Sequence, residues 1–217
     1  MRVIAILARK GGVAKSTLCR SLAVAALIDG RRAAIIDTDP QGSCLAWARR
    51  READMPAVEG TDQPLADKLL QLRNRGAEIV LIDTPPSLQP VINLAAHQAD
   101  LCLIASGIGP EDVEAVGGTA EIIKNLRKPG AIILTRCPPR AQAVSLAKAV
   151  LTAFKLPVCP TTLTQLVSHQ YASAEGQTAQ EMEPYGKAAR EVAALWNWLK
   201  SQGWLADEPA AERRAGE

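Results

Sequence analysis

Three short segments of the 217-residue chain concentrate the side chains able to do chemistry. The first is Lys10-Gly11-Gly12-Val13-Ala14-Lys15-Ser16-Thr17. Its glycines let consecutive main-chain N–H groups turn inward around phosphate oxygens, and a helix opening directly after such a loop adds positive potential at the same place. Lys15 is spaced to neutralise β- and γ-phosphates, and the Ser16 hydroxyl to ligate Mg2+. The second segment, Asp37-Thr38-Asp39-Pro40-Gln41-Gly42, sets two carboxylates at the end of an apolar run. The third carries four apolar residues, Ile79 to Ile82, into Asp83 and then Thr84-Pro85-Pro86. An acid at the C-terminal edge of a buried strand stands where open α/β sheets bind ligands. Asp83 is expected there to hold a Mg2+-bound water, and Thr84 to Ser87 to sense the γ-phosphate.

Positioning these groups requires strands that end together. Nearly continuous apolar runs recur at residues 3–8, 33–37, 79–83, 101–105 and 131–135. Strands buried on both faces read this way, which implies a parallel sheet covered by helices. Helical spacing is present over residues 15–29, 111–126, 141–154, 163–174 and 185–200, with Gly30 placed to end the first. The alternation predicts an α/β, doubly wound, mostly parallel sheet with helices on both faces, a P-loop nucleoside triphosphatase. One domain is expected over residues 1–205, with a polar, disordered tail over 206–217.

Bulk properties narrow the classes. A hydrophobic content of 47% rules out global disorder, and a net charge of +2 gives no gross basic excess. Any nucleic-acid contact must therefore come from clustering by folding or dimerisation. Five cysteines without a CxxC pair, and only two histidines, predict reduced thiols in a core and no zinc site. The opening apolar run is a strand leading into the loop rather than a signal peptide, and no stretch is long enough to span a bilayer. No G-x-G-x-x-G follows the first strand, so a dinucleotide-dependent dehydrogenase is excluded.

The loop matches the deviant phosphate-loop pattern K-G-G-x-x-K-[ST]-T, with Ala14 where glycine usually precedes the lysine. A methyl group there is expected to require negative φ. On this loop, the D-x-D-P-Q-G segment and the Asp83-Thr84-Pro85-Pro86 turn, the chain resembles the ParA/MinD family of ATPases, and within it the short ParF-like plasmid group. The resemblance covers residues 1–200 and includes Ala174-Glu175-Gly176. It implies that Lys10 crosses a dimer interface to the partner's nucleotide, that Asp39 orients the attacking water, and that Asp37 supports the magnesium shell beside Ser16 and Asp83. Lys10, Lys15 and Asp39 are thereby the expected catalytic residues. Residues 106–110 depart from the family's proline-rich P-x-x-x-S-x-x-D stretch, with Asp112 matching its final acid. The N-terminal winged helix of larger ParA proteins is expected to be absent.

Leu134-Thr135-Arg136-Cys137-Pro138 stands where GTPases carry [NT]-K-x-D, and the missing Asp favours ATP over GTP. Arg136 and Pro160 are the expected contacts around the base. The resemblance further implies a nucleotide-sandwich homodimer that binds DNA without sequence preference, a ParB- or ParG-like centromere-binding adaptor that stimulates weak ATP hydrolysis, and a cytoplasmic, nucleoid-associated location. Arg136, Arg140, Lys148, Lys155, Lys187 and Arg190 are candidate DNA contacts, and phosphate contact is favoured because aromatics are only 3% of the chain. Alternatives within the family are a different cargo, or membrane action through residues 193–205. The latter has few basic residues to meet anionic lipid. An electron-transfer iron protein is discounted because the cysteines do not sit in paired glycine loops.

Overall fold

The computed structural model describes residues 1–86, 89–139 and 142–206. Within them the strands are β1 (Arg2–Leu7), β2 (Ala33–Asp37), β3 (Ala57–Glu59), β4 (Ile79–Asp83), β5 (Leu101–Ser106) and β6 (Gly130–Leu134). The helices are α1 (Lys15–Ile28), α2 (Ser43–Ala48), α3 (Leu65–Asn74), α4 (Gln89–Gln98), α5 (Pro110–Asn125), α6 (Gln142–Leu151), α7 (Val167–Ala174), α8 (Ala179–Met182) and α9 (Lys187–Ser201). All strands pair in parallel in the order β3-β2-β4-β1-β5-β6.

The apolar runs explain the layers. Successive strand residues point to opposite faces, so a run without polar interruption needs cover on both. Ile4 and Ile6 of β1, Ile35, Leu81, Leu103 and Ile133 face α1, α2 and α9. Their neighbours Ala5 and Leu7, Ile36, Ile82, Ile104 and Leu134 face α3, α4, α5 and α6. In α9, Val192, Leu195, Trp196 and Leu199 are buried in the first of these cores. Its apolar face is thus spent on the sheet. No helix among the described residues is long and apolar enough to cross a membrane.

The register places chemistry at one edge. β4 lies between β1 and β2, with Asp83 opposite Ile6 on one side and Asp37 on the other. The loop leaving β1 and both acidic strand ends therefore converge. Beyond β6, residues 157–164 extend this edge without forming a regular strand. Ile132 N–H donates to Pro157 O (2.8 Å), Cys159 N–H to Ile132 O (2.9 Å), and Cys137 N–H to Leu163 O (3.0 Å).

That edge corrects the helix expected over residues 163–174, since α7 begins only at Val167. The backbone of residues 163–165 is bonded instead to the end of β6 and the turn beyond it. The helix expected to reach 154 ends in a 3-10 turn, Thr152–Phe154, and its first residue, Ala141, lies outside the described residues, as do Ser87, Arg140 and the expected tail beyond 206. β3 and α2–α4 escaped the periodicity reading. β3 is three half-buried residues, and α2 spans six, too few for a helical stripe to show.

Between α1 and α8 lies a feature that residue spacing does not signal. Trp47 is fully buried, with Arg51 4.8 Å and Arg20 5.8 Å from its ring centre. Its Nε1 donates to Gln177 O (2.9 Å), and Arg51 pairs with Glu181. Gly176, at φ +67°, permits this closure: a Cβ there would lie 2.4 Å from the main chain of Arg50 and Arg51. The glycine singled out in the sequence thus has a steric reason.

Candidate functional site

The phosphate loop runs from the end of β1 into α1. Gly12 (φ +77°) and Ala14 (φ +57°) both adopt left-handed backbone, two residues apart. Alternating handedness of this kind turns successive N–H groups to one side and makes an anion-binding concavity. The expectation of negative φ at Ala14 is therefore wrong. The loop's path into α1 needs a left-handed residue at the junction, where Ala14 O accepts from Leu18 N–H at 2.9 Å. An alanine there costs roughly 1–2 kcal/mol in backbone strain.

Other elements fix the loop. Thr135 Oγ1, just past β6, donates to Val13 O (2.7 Å), and the Arg136 guanidinium donates to Gly12 O (2.5 Å). Pro86 lies beside Gly11, where a Cβ would sit 3.8 Å from the proline ring. On the concave side is a cavity of about 390 Å³ lined by Lys15, Ser16, Thr17, Arg20, Asp39 and Pro86 among others. Lys15 is 7% exposed. Burial lowers its pKa, while the negative charges of Asp83 and Asp39 oppose that drop. A buried ammonium facing two carboxylates is a socket for a polyanion accompanied by a cation.

The two strand-end acids are used differently. Asp37 Oδ2 accepts from the main-chain N–H groups of Cys44 (2.8 Å) and Leu45 (3.1 Å), and Oδ1 from Asp39 N–H (3.2 Å). It therefore holds the start of α2 against the sheet, while its ligand oxygen stays near Asp83. Asp83 is completely buried, and its Oδ1 has no hydrogen-bond partner among the described residues. Its Oδ2 accepts from the Cys44 thiol at 3.2 Å. Burial pushes the Asp83 carboxyl up to about 6, Asp37 adds to the rise, and Ser16, Cys44 and Lys15 work against it. An orphaned, fully buried carboxylate oxygen is costly unless a cation completes it. Ser16 and Asp83 accordingly fit a divalent cation. Asp39 is half-buried at the cavity wall, its Oδ1 accepting from Gln41 N–H (3.0 Å).

Lys10 stands apart from this cluster. Its Nζ is 2.8 Å from Asp112 Oδ1 and 4.0 Å from Glu111, both in the first turn of α5. The Asp112 carboxylate lies over Gly107, where a Cβ would sit 2.2 Å from Oδ2. The departure from the family pattern at residues 106–110 thus shapes the seat of this acid. Sequence reasoning named Asp112 without anticipating that it holds Lys10.

A second cavity, about 160 Å³, opens on the other side of the loop, lined by Ala14, Arg136, Leu163, Gln165, Leu166 and His169 among others. Pro160 is not among its lining residues. It is exposed, and its carbonyl accepts from Lys148 Nζ (2.6 Å). Residues 157–164 follow the sheet edge before turning over the loop, so this wall of the cavity is formed by Leu163 and residues that come after it. Burial lowers the pKa of His169 in this wall. Of the candidate DNA contacts, Lys187 pairs with Glu191 (3.6 Å), the Arg190 guanidinium donates to Tyr185 O, and Lys155 is exposed.

The parallel sheet, the loop at its central strand and the paired strand-end acids define a P-loop nucleotide-binding domain. The CobQ/CobB/MinD/ParA nucleotide binding domain model matches residues 4–179. The chain belongs to this family, as a ParA/MinD-type ATPase with ATP and Mg2+ as its cofactors. It is 31% identical over 201 residues, 89% of each chain, to maintenance of carboxysome distribution protein A of Gloeobacter kilaueensis. It is 26% identical over 165 residues to a probable plasmid-partitioning protein ParA of Thermus thermophilus, covering 58% of this chain and 51% of that one. Among solved structures, the septum site-determining protein MinD of Pyrococcus horikoshii, complexed with Mg-ADP, superposes with a TM-score of 0.73 at 18% identity. That match covers 95% of this chain and 99% of the other, and at such identity it speaks for the fold.

Proposed function

We propose that this ATPase partitions DNA, forming an ATP-dependent homodimer that binds DNA without sequence preference and lets go after hydrolysis stimulated by an adaptor. The observation that carries the reading is Lys10. It is 42% exposed at the rim of the phosphate loop, and its ion pairs among the described residues are with Asp112 and Glu111 of its own chain, so it can be exchanged onto a partner. Lys15 and the loop N–H groups hold the phosphates, and Arg136 braces the loop from outside. Ser16 and Asp83 hold Mg2+, and Asp37 keeps α2 and Cys44 in place beside them. Bound there, the cation neutralises phosphate charge. Asp39 orients the attacking water, and Lys10 of each subunit stabilises charge on the other's nucleotide.

With a net charge of +2, one subunit offers few phosphate contacts, and a dimer doubles them on one surface. The adaptor is a ParB- or ParG-like centromere-binding protein, and the complex sits on the nucleoid. A second reading, the same cycle positioning a protein-based cargo, is favoured by the long alignment with the carboxysome distribution protein. Retention of DNA by the purified protein, measured beside sedimentation with ATP or ADP across a salt series, tests the cycle. DNA binding should appear only with ATP, ignore sequence and fall steeply with salt. Equal binding with both nucleotides overturns it.

A further inference from the structure

Asp37, Cys44 and Asp83 bring one ligand atom each to within 4.8 Å of one another, and each is at most 2% exposed. The Cys44 thiol donates to Asp83 Oδ2, and Oδ1 has no partner among the described residues. A second thiol is close by: Cys19, one turn into α1 from Ser16, is also fully buried, in the same core as Cys44. Cys44 is held firmly, because its own N–H donates to Asp37 Oδ2. Sulfur has thus been built into the wall where a hard, oxygen-seeking ion is expected.

We propose that Cys44 makes the cation position beside Asp83 a binding site for thiophilic divalent ions, Zn2+ or Cd2+, held by Cys44 Sγ and Asp83, with Asp37 as a third ligand and Cys19 as the adjacent sulfur. This rests on the reading of Asp83 as the Mg2+ carboxylate. Two chemical facts carry it. Thiolate selects zinc-like ions, whereas Mg2+ takes oxygen ligands. A tetrahedral Zn2+ with bonds of about 2.3 Å to sulfur and 2.1 Å to oxygen needs its S and O atoms roughly 3.6 Å apart. The observed 3.2 Å from Cys44 Sγ to Asp83 Oδ2 differs from that by a few tenths of an ångström, and the 4.8 Å envelope admits the third ligand. The incoming ion takes the place of the thiol proton. Because both kinds of ion use Asp83, a thiophilic ion excludes Mg2+ and blocks hydrolysis.

The test is a titration of nucleotide-free full-length protein with Cd2+, read by sulfur-to-cadmium charge-transfer absorption. One ion per chain should bind with this signal. Cys44→Ser and, as a second variant, Cys44→Ala should each lose the signal and weaken binding more than tenfold. Cys102→Ser, altered on the opposite face of the sheet, should change neither. Mg2+ with ATP should displace the ion, and Zn2+ should inhibit hydrolysis at least tenfold less well in folded Cys44→Ser. A signal that persists in both Cys44 variants overturns the proposal, as does Cd2+ that stays bound through Cys44 while Mg2+-dependent hydrolysis runs at full rate. Mg2+-ATP binding by Asp83→Asn, measured separately, tests the underlying reading. If that variant binds Mg2+-ATP like the parent while Cd2+ still binds through Cys44, the Mg2+ assignment fails alone.

Discussion

Lys10 Nζ lies 2.8 Å from Asp112 Oδ1, so the lysine that opens the phosphate loop is held by an acid at the start of α5 in its own chain. Asp112, followed by Glu111, raises the Lys10 pKa, so the lysine stays charged throughout the physiological range. Lys10 is solvent-accessible in this pair, so water screens the attraction and the hold is weak. It is thus a seat that Lys10 can leave.

Asp112→Asn should therefore tighten ATP-dependent dimerisation modestly, by up to roughly fivefold in dissociation constant. Lys10→Ala should bind ATP as a monomer and lose dimerisation and DNA retention together. Sedimentation of both variants with ATP checks this, and a dimeric Lys10→Ala protein contradicts it.

Lys15 and Asp39 should separate binding from turnover. Lys15→Ala removes a charge-assisted phosphate contact and should weaken ATP binding by well over tenfold in calorimetry, a loss above about 1.4 kcal/mol. Asp39→Ala leaves the loop intact. It should keep ATP affinity but slow phosphate release on the order of a hundredfold and accumulate dimer, seen by light scattering. Parental turnover in that variant would remove Asp39 from the mechanism.

The Asp83 carboxyl, pushed up to about 6 by burial, gives the metal-free fold a pH signature. Between the ordinary carboxylate value near about 4 and this raised one, the folded state binds more protons than the unfolded state, so stability falls as pH rises. The cost is absent below about pH 4 and reaches on the order of 2–3 kcal/mol above about pH 7. In chelator, Asp83→Asn should melt several degrees above the parent near neutral pH, and the gain should shrink as pH falls. An unchanged gain at all pH values means the buried charge is not the cause.

Ala14 tests the loop backbone. Its left-handed φ of +57° suits glycine. Glycine relieves roughly 1–2 kcal/mol of strain and gives back about 0.4–1 kcal/mol in unfolded-chain entropy. Ala14→Gly should raise the melting temperature by a few degrees without weakening ATP binding. Ala14→Val, β-branched at positive φ, should disrupt the loop. A calorimetric scan of the two variants with ATP distinguishes them.

Much of this architecture is local in the chain. The runs ending at Leu7, Asp37 and Asp83 determine strands buried on both faces, because no polar residue interrupts them. The spacing from Gly11 to Ser16 determines a loop that hands its N–H groups to a helix. What the tertiary structure decided depends on partners distant in sequence. Parallel register sets Asp37 beside Asp83 across 46 positions (83 − 37). Folding brings Asp112 to Lys10, Thr135 to Val13, and Glu181 to Arg51. The path of residues 157–164 along β6 puts Gln165 and His169, and not Pro160, at the wall of the second cavity. Even the handedness of Ala14 belongs to this class: residue type alone favours negative φ there, and only the loop's attachment to β6 and α1 imposes the positive value.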